Sequence, residues 1–347
     1  MPPKSSTRAS SSPATSRGFD QDLAALEAFA ASLNAGKPLD DDGTNYLRKS
    51  LAHRNNFLVS KAAKLVADLE LVALLPDILA AYDRFFLDPE KSDPQCWAKN
   101  ALSKALVKLG HRSKDAYLRG IGHHQFEPVW GGKSDTAGAL RGTCTHALVD
   151  CPGISDADLL AALLGPLTDT DKTVRIEAAS ALAQVGGVSA ALLLRLRILL
   201  AKAELEPEVL GSTFSALLAL EGAEAIPLVA KSLEAEDDVA AEAAFALASL
   251  RTPAALAELL ACLRAGPDAW FTSVLLSAIA LTRLPDGMDF LLATIARNGR
   301  EASDALEALA RLNPSEELRQ RLEAAVETSD SLKLKQLLQK HLPDRLS

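Results

Sequence analysis

At 347 residues, with 48% hydrophobic and 24% charged residues, the chain exceeds what one compact core usually organises, so two domains or a repeat array are expected. Only 5% of residues are aromatic while alanine and leucine recur throughout, which excludes a sheet-rich protein, because strands favour aromatic and β-branched residues. The formal net charge of -8 is uneven: residues 1–150 hold 19 basic against 17 acidic side chains, and the remainder 18 against 28.

Residues 1–18 form a Ser-rich stretch with Lys4, Arg8 and Arg17 and no acid before Asp20, the composition of a disordered basic tail. It lacks the apolar centre of a secretory signal, and no apolar run approaches the roughly 18 to 20 residues of a membrane span. A soluble, cytoplasmic protein with no membrane partner is therefore expected. Cys96, Cys144, Cys151 and Cys262 show no paired spacing and read as reduced core thiols.

The first strong helix carries Leu58, Ala62, Ala63 and Val66 at i, i+4, i+5 and i+8, one apolar stripe at helical period with small residues in the middle, where a neighbouring helix comes close. Further along, the template lies over Ala98, Leu102, Ser103 and Leu106, then over Leu140, Cys144, Thr145 and Leu148. Its clearest copy is Val174, Ala178, Ala179 and Leu182. It continues from Leu210 (Phe214, Ser215, Leu218), Val239 (Ala243, Ala244, Leu247), Ser273 (Ser277, Ala278, Leu281) and Glu301 (Ala305, Leu306, Leu309). The spacings run from 28 to 42 residues, the range of helical repeats. Another apolar helix accompanies the copies, over 74–86, 156–167, 190–203, 223–233, 254–263 and 288–296, so the unit is helix, turn, helix. Charged segments 316–327 and 332–342 read as a closing pair.

The stretch LTDTDKTVRIEAASALAQVG resembles the HEAT repeat family: Asp169 and Arg175, six residues apart, match that family's turn Asp and helix Arg, and Asp135 and Arg141 match them again. The resemblance covers most of residues 47–312 and implies a structural role for these four, bonding across the turns of adjacent repeats. It implies an all-α fold, an α-solenoid (right-handed superhelix) of about eight or nine antiparallel helix pairs over residues 19–347. Residues 19–151 would be irregular repeats with a long loop at 123–136, residues 152–312 regular repeats, and 313–347 capping helices. The chain also resembles the HEAT-like repeats of phycobilin lyases.

The loop HHQFEPVWGGKSD is the least repeat-like segment, and function concentrates on such loops. His123, His124, Gln125, Glu127 and Trp130, with His146 on the following helix, are the candidate partner-binding residues, although large aromatics such as Trp130 and Phe126 commonly tuck back into a groove. His123, His124, Cys144, His146 and Cys151 lack a recognised ligand spacing, so neither a metal nor a cofactor is expected. A second candidate is the row Lys61, Lys64, Lys99, Lys104 and Lys108 on two successive template helices, a groove that can follow a phosphate backbone. No GxSxG, HExxH, P-loop or dinucleotide fingerprint is present. The leading expectation is a non-enzymatic scaffold that binds an unidentified protein or peptide on its concave surface and the 123–136 loop. Nucleic-acid binding through the lysines is one alternative, and a lyase-like enzyme or small-molecule chaperone at the loop is the other.

Overall fold

The computed structural model describes residues 13–200, 204 and 206–342. Residues 1–12 of the expected tail lie outside them, whereas residues 13–18 begin a helix. Among the described residues the fold is all-α with one short hairpin. The chain divides into two compact units, Met1–Glu177 and Ala178–Ser347.

In the first unit the helices are α1 (Pro13–Asn34), α2 (Asp41–Leu51), α3 (Asn56–Asp68), α4 (Leu75–Arg84), α5 (Pro89–Ser92), α6 (Trp97–Lys108), α7 (Lys114–Ile121), α8 (Gly138–Leu148) and α9 (Asp156–Leu167). Strands β1 (Phe126–Val129) and β2 (Gly132–Asp135) stand between α7 and α8. Helix α10 (Lys172–Val185) contains the division between the units. The template helices stack in sequence, α3 on α6 and α6 on α8, with α4 against α6 and α7 against α8. All four template positions of α3, α6 and α8 are buried, because each helix turns its small-residue face to a neighbour. Side chains start these helices where the sequence offers them: Asn55 Oδ1 accepts the amides of Phe57 and Leu58 at the head of α3, and Ser155 Oγ accepts that of Asp158 in α9.

Gly120 lets α7 approach α8. A Cβ there would press on Cys144 Sγ and the Tyr82 hydroxyl, both buried. Gly120→Ala is therefore expected to cost about 1–3 kcal/mol in a urea melt, as overpacked cores do. Gly122→Ala, whose Cβ meets nothing nearer than 3.6 Å, is the control and should stay within about 0.5 kcal/mol.

The second unit contains α11 (Gly187–Leu199), α12 (Pro207–Glu221), α13 (Ile226–Ala230), α14 (Asp238–Ser249), α15 (Pro253–Arg264), α16 (Ala269–Thr282), α17 (Pro285–Ala296), α18 (Ala302–Ala310), α19 (Glu316–Thr328) and α20 (Leu332–His341). The stacking repeats as α12 on α14, α14 on α16, α16 on α18 and α18 on α20, with the alternate helices packed beside them. Two copies depart from the sequence reading, α12 at one position and α16 in register. On α12 Leu210, Phe214 and Leu218 of the copy are buried, beside Val209, Thr213 and Leu217, and Ser215 is exposed. On α16 the buried stripe is Phe271, Leu275, Leu276 and Ile279 in place of the copy begun at Ser273. On α16 two leucines fill the middle positions, so a search for small residues there slides off the core face.

One stretch, Pro207–Ala235, is apolar and long enough by length and composition alone to cross a membrane, which corrects the expectation that no run approaches that length. In the structure it breaks at Gly222, whose φ of 55° ends α12, and continues through short 3₁₀ turns around the five-residue α13.

Candidate binding surfaces: an anchored hairpin and a lysine groove

Between α5 and α6 the chain runs through two consecutive non-glycine residues in the left-handed region, Gln95 (φ 60°) and Cys96 (φ 55°). Such a conformation costs roughly 1–2 kcal/mol per residue and persists only where surrounding bonds enforce it. Asp93 supplies them. Its fully buried carboxylate accepts the first free amides of α6, from Ala98 at 2.8 Å and Lys99 at 3.0 Å, and also the Asn56 amide at 2.9 Å. Its charge is met by Lys99 Nζ at 2.9 Å, and that ammonium also donates to the Phe85 carbonyl at 3.2 Å.

This corrects the placement of Lys99 in a solvent-facing row: both it and Asp93 are wholly buried. The sequence held the signal. Asp93 and Lys99 are six residues apart and stand five before and one after the start of their template copy, as Asp135 and Arg141, and Asp169 and Arg175, do in the next two copies.

The loop expected at 123–136 is a hairpin. Phe126 pairs with Asp135 and Val129 with Gly132, and Trp130-Gly131 makes a two-residue turn in which Gly131 takes φ 90°, the left-handed second position that suits glycine. Its base is tied to the buried polar groups. Gln125 is 1% exposed; its side-chain amide donates to the Asp93 carbonyl at 2.8 Å and to Glu127 Oε1 at 2.6 Å, and its backbone amide donates to Asp135 Oδ1. Glu127 Oε1 also accepts the Gln95 amide at 2.6 Å and the Thr136 hydroxyl at 2.8 Å. Burial by itself raises the Glu127 carboxyl, but these hydrogen bonds outweigh it and hold the group below the usual carboxylate range. Gln125 and Glu127, expected to meet a partner, thus latch the hairpin to the body.

From Asp135 the network passes to Arg141, whose Nη1 donates to Asp135 Oδ2 at 2.7 Å and to the His123 carbonyl at 3.1 Å. Its Nε and Nη2 form a fork on Asp169 at 2.7 and 2.8 Å. Arg175 Nη1 then donates to the Asp169 carbonyl at 2.7 Å. The four motif residues are thus connected, from one template copy to the next. His123 is half-buried with its ring edge-on to Phe86, and burial pushes it below the usual histidine value against the opposing pull of its Gln125 hydrogen bond.

His124 is exposed, lies 2.9 Å from Asp135, and edges a recess of about 550 Å³ with Ile121 and Thr170. His146 stands apart from the hairpin, 3.2 Å from Glu177. Cys144 is buried, which pushes its thiol up to about 12 and leaves it protonated. Among the described residues no His, Cys, Asp and Glu side chains cluster as metal ligands.

The network leaves the hairpin tip bare. Trp130 is fully exposed at 103%, and Phe126 and Val129 are each about half-exposed, so these rings do not plug a groove between repeats. Gln125, Glu127 and Asp135 take the polar anchoring positions, and the turn carries Trp130 away from the body.

The remaining lysines line a groove of about 570 Å³ between α3 and α6. Lys61, Lys64, Lys104 and Lys108 rim it, Ala67, Ala101 and Ala105 lie among its lining, and Phe57 and Trp97 meet edge to face at 5.2 Å at one end. Lys108 pairs with Asp68 at 3.2 Å, whereas Lys61, Lys64 and Lys104 have no carboxylate within ion-pair distance among the described residues. Sequence reading passed over Phe57 and Trp97. They stand one residue before the template start in consecutive copies, just as Lys64 and Lys104 stand six after it. No protein-family model matches the chain, and no curated protein matches it significantly.

Proposed function

We propose that the chain is a non-enzymatic scaffold of HEAT-like stacked helix pairs, an α-solenoid, that captures a protein partner on the hairpin, at Val129 and Trp130 near its tip and Phe126 nearer its base. The observation that carries this is a fully exposed tryptophan held out on a two-stranded hairpin whose base is fastened to the buried Asp93 carbonyl and, through Asp135, to the buried Arg141. Short two-stranded hairpins are marginal in water, and large aromatics favour burial, so an anchored hairpin that exposes one fits a contact site. A rigid tryptophan supplies large contact area at small conformational cost, which is why it recurs among the dominant contacts of interfaces. The stacked template helices and the Asp-to-Arg connections from copy to copy support the HEAT-like reading.

Affinity capture with wild-type and Trp130→Ala chains tests it. The side chain makes no packing contact to lose, so stability should change by less than about 0.5 kcal/mol. Partner yield should fall at least roughly thirtyfold in affinity, the effect of removing a dominant interface aromatic. Equal recovery by both chains would place the partner elsewhere.

A further inference from the structure

We propose that the groove between α3 and α6 binds a short acidic segment of a protein partner, with an apolar side chain seated against Trp97 and carboxylates on both flanks meeting Lys61, Lys64 and Lys104. The proposal rests on the chain being a protein-binding scaffold and names the chemistry of what it holds. Three exposed ammonium groups line this groove with no carboxylate within ion-pair distance among the described residues, in a chain whose overall charge is -8. Like charges gathered around one cavity repel, and an anionic ligand relieves that repulsion.

The arrangement decides between a peptide and a nucleic acid. Lys61 and Lys64 stand on one wall and Lys104 on the other, with alanines lying among them, so charge flanks an apolar strip on two sides. An amphipathic peptide matches that, its apolar face down and acids along both edges, in the way helices lie in grooves. A phosphate chain needs a continuous cationic track, and this one is short. Lys61 to Lys64 rises only about 4.5 Å along α3, and farther along Asp68 presents a carboxylate and engages Lys108. One or two neutralised phosphates give little affinity at physiological salt. The Phe57 ring has the Lys61 ammonium 5.1 Å from its centroid, which leaves Trp97, 42% exposed, as the ring open to a ligand. The Trp97 end of the groove adjoins the hairpin base, because Gln95, two residues earlier, donates to Glu127.

The test is fluorescence anisotropy with two labelled probes. One is a peptide of roughly 12 residues, long enough to lie along α6, with Leu and Phe one helical turn apart and Glu on either side. The other is single-stranded oligothymidine of about 12 nucleotides. The full chain should bind the peptide, more weakly as salt rises, and should bind its Glu→Lys counterpart at least about tenfold less well. The Lys64→Glu, Lys104→Glu variant should lose at least about tenfold in affinity, and Lys64→Arg, Lys104→Arg should retain it. Trp97→Ala should weaken binding at unchanged charge. Both lysines are exposed, so helical circular dichroism should be preserved. Trp130→Ala run beside them should keep peptide affinity, which separates failure of the hairpin site from failure of the groove. Absence of peptide binding, indifference to the lysine reversals, or oligothymidine binding more tightly than the peptide would each overturn the proposal.

Discussion

Lys99→Met is expected to lower the unfolding free energy by about 3–5 kcal/mol, and the Lys99→Met, Asp93→Asn double variant to recover a substantial part of that loss. Both partners of this ion pair are wholly buried. Removing the ammonium strands a carboxylate in a medium that solvates it poorly, which is far costlier than the pair is favourable. Asp93 keeps three donors after the substitution, the amides of Ala98 and Lys99 and the side chain of Asn56, so the fold has reason to survive. The double variant removes the charge altogether and leaves only imperfect hydrogen bonding. Urea unfolding followed by Trp97 fluorescence, with Trp130 and Trp270 replaced by phenylalanine, gives both values. A loss below about 1 kcal/mol for the single variant would show that water reaches the pair and that its burial does not govern its energetics.

The same substitution should loosen the hairpin, although no hairpin residue is touched. The Asp93 carbonyl holds the Gln125 amide, and the left-handed turn at Gln95 and Cys96 offers the Gln95 amide to Glu127. Faster amide exchange at residues 126–135 in Lys99→Met than in wild type is the expected result, since protection there depends on local opening. A buried ion pair is a poor way to gain stability but a sound way to fix one geometry, and here the geometry fixed is the direction in which Trp130 projects.

Much of the all-α fold was legible because an apolar stripe at helical period records which face each helix buries. On α3, α6 and α8 the stripe read from sequence and the buried residues coincide. The reading slipped on α16, where bulk replaced small residues, since Leu275 and Leu276 serve the packing as well as alanine does elsewhere. The candidate surfaces were less legible for a different reason. A lysine in an alphabet of charges reads as solvated, and only the position of Lys99 relative to its copy, equivalent to Arg141, marks it as internal. Nothing in HHQFEPVWGG distinguishes a tryptophan that tucks in from one that projects. That outcome depends on Gln125 and Glu127 finding partners at Asp93 and Gln95, some thirty residues away in sequence.

Arg141→Ala should cost about 3–5 kcal/mol at neutral pH, and the deficit should shrink as the solution is acidified. The Arg141 side chain is 1% exposed and holds two carboxylates, Asp135 at 11% and Asp169 at 7% exposure. Truncation leaves both acids and the His123 carbonyl without their strongest donor, and leaving buried charge uncompensated is what makes such changes severe. Burial raises both carboxyls, yet their hydrogen bonds and the guanidinium outweigh it and hold each below the usual aspartate value. The sign follows. A group with a depressed folded value stabilises the fold above its unfolded value near about 3.9, and that contribution disappears as pH falls through the folded value. Wild type therefore loses this term in acid, whereas the variant, which lacks it at pH 7, has little to lose and accepts protons on its stranded acids more readily. Urea midpoints for the two proteins should converge as pH falls from about 4 through the folded values of the two carboxyls. Arg141→Lys should fall between them, because an ammonium keeps the charge but cannot span Asp135 and Asp169 with a planar fork. A deficit constant over that range would mean that the arginine acts by filling space. Convergence would show that the connection from Asp135 to Asp169 is electrostatic, and partner capture through Trp130 should weaken in step with it, since Asp135 and His123 flank the hairpin that Arg141 secures.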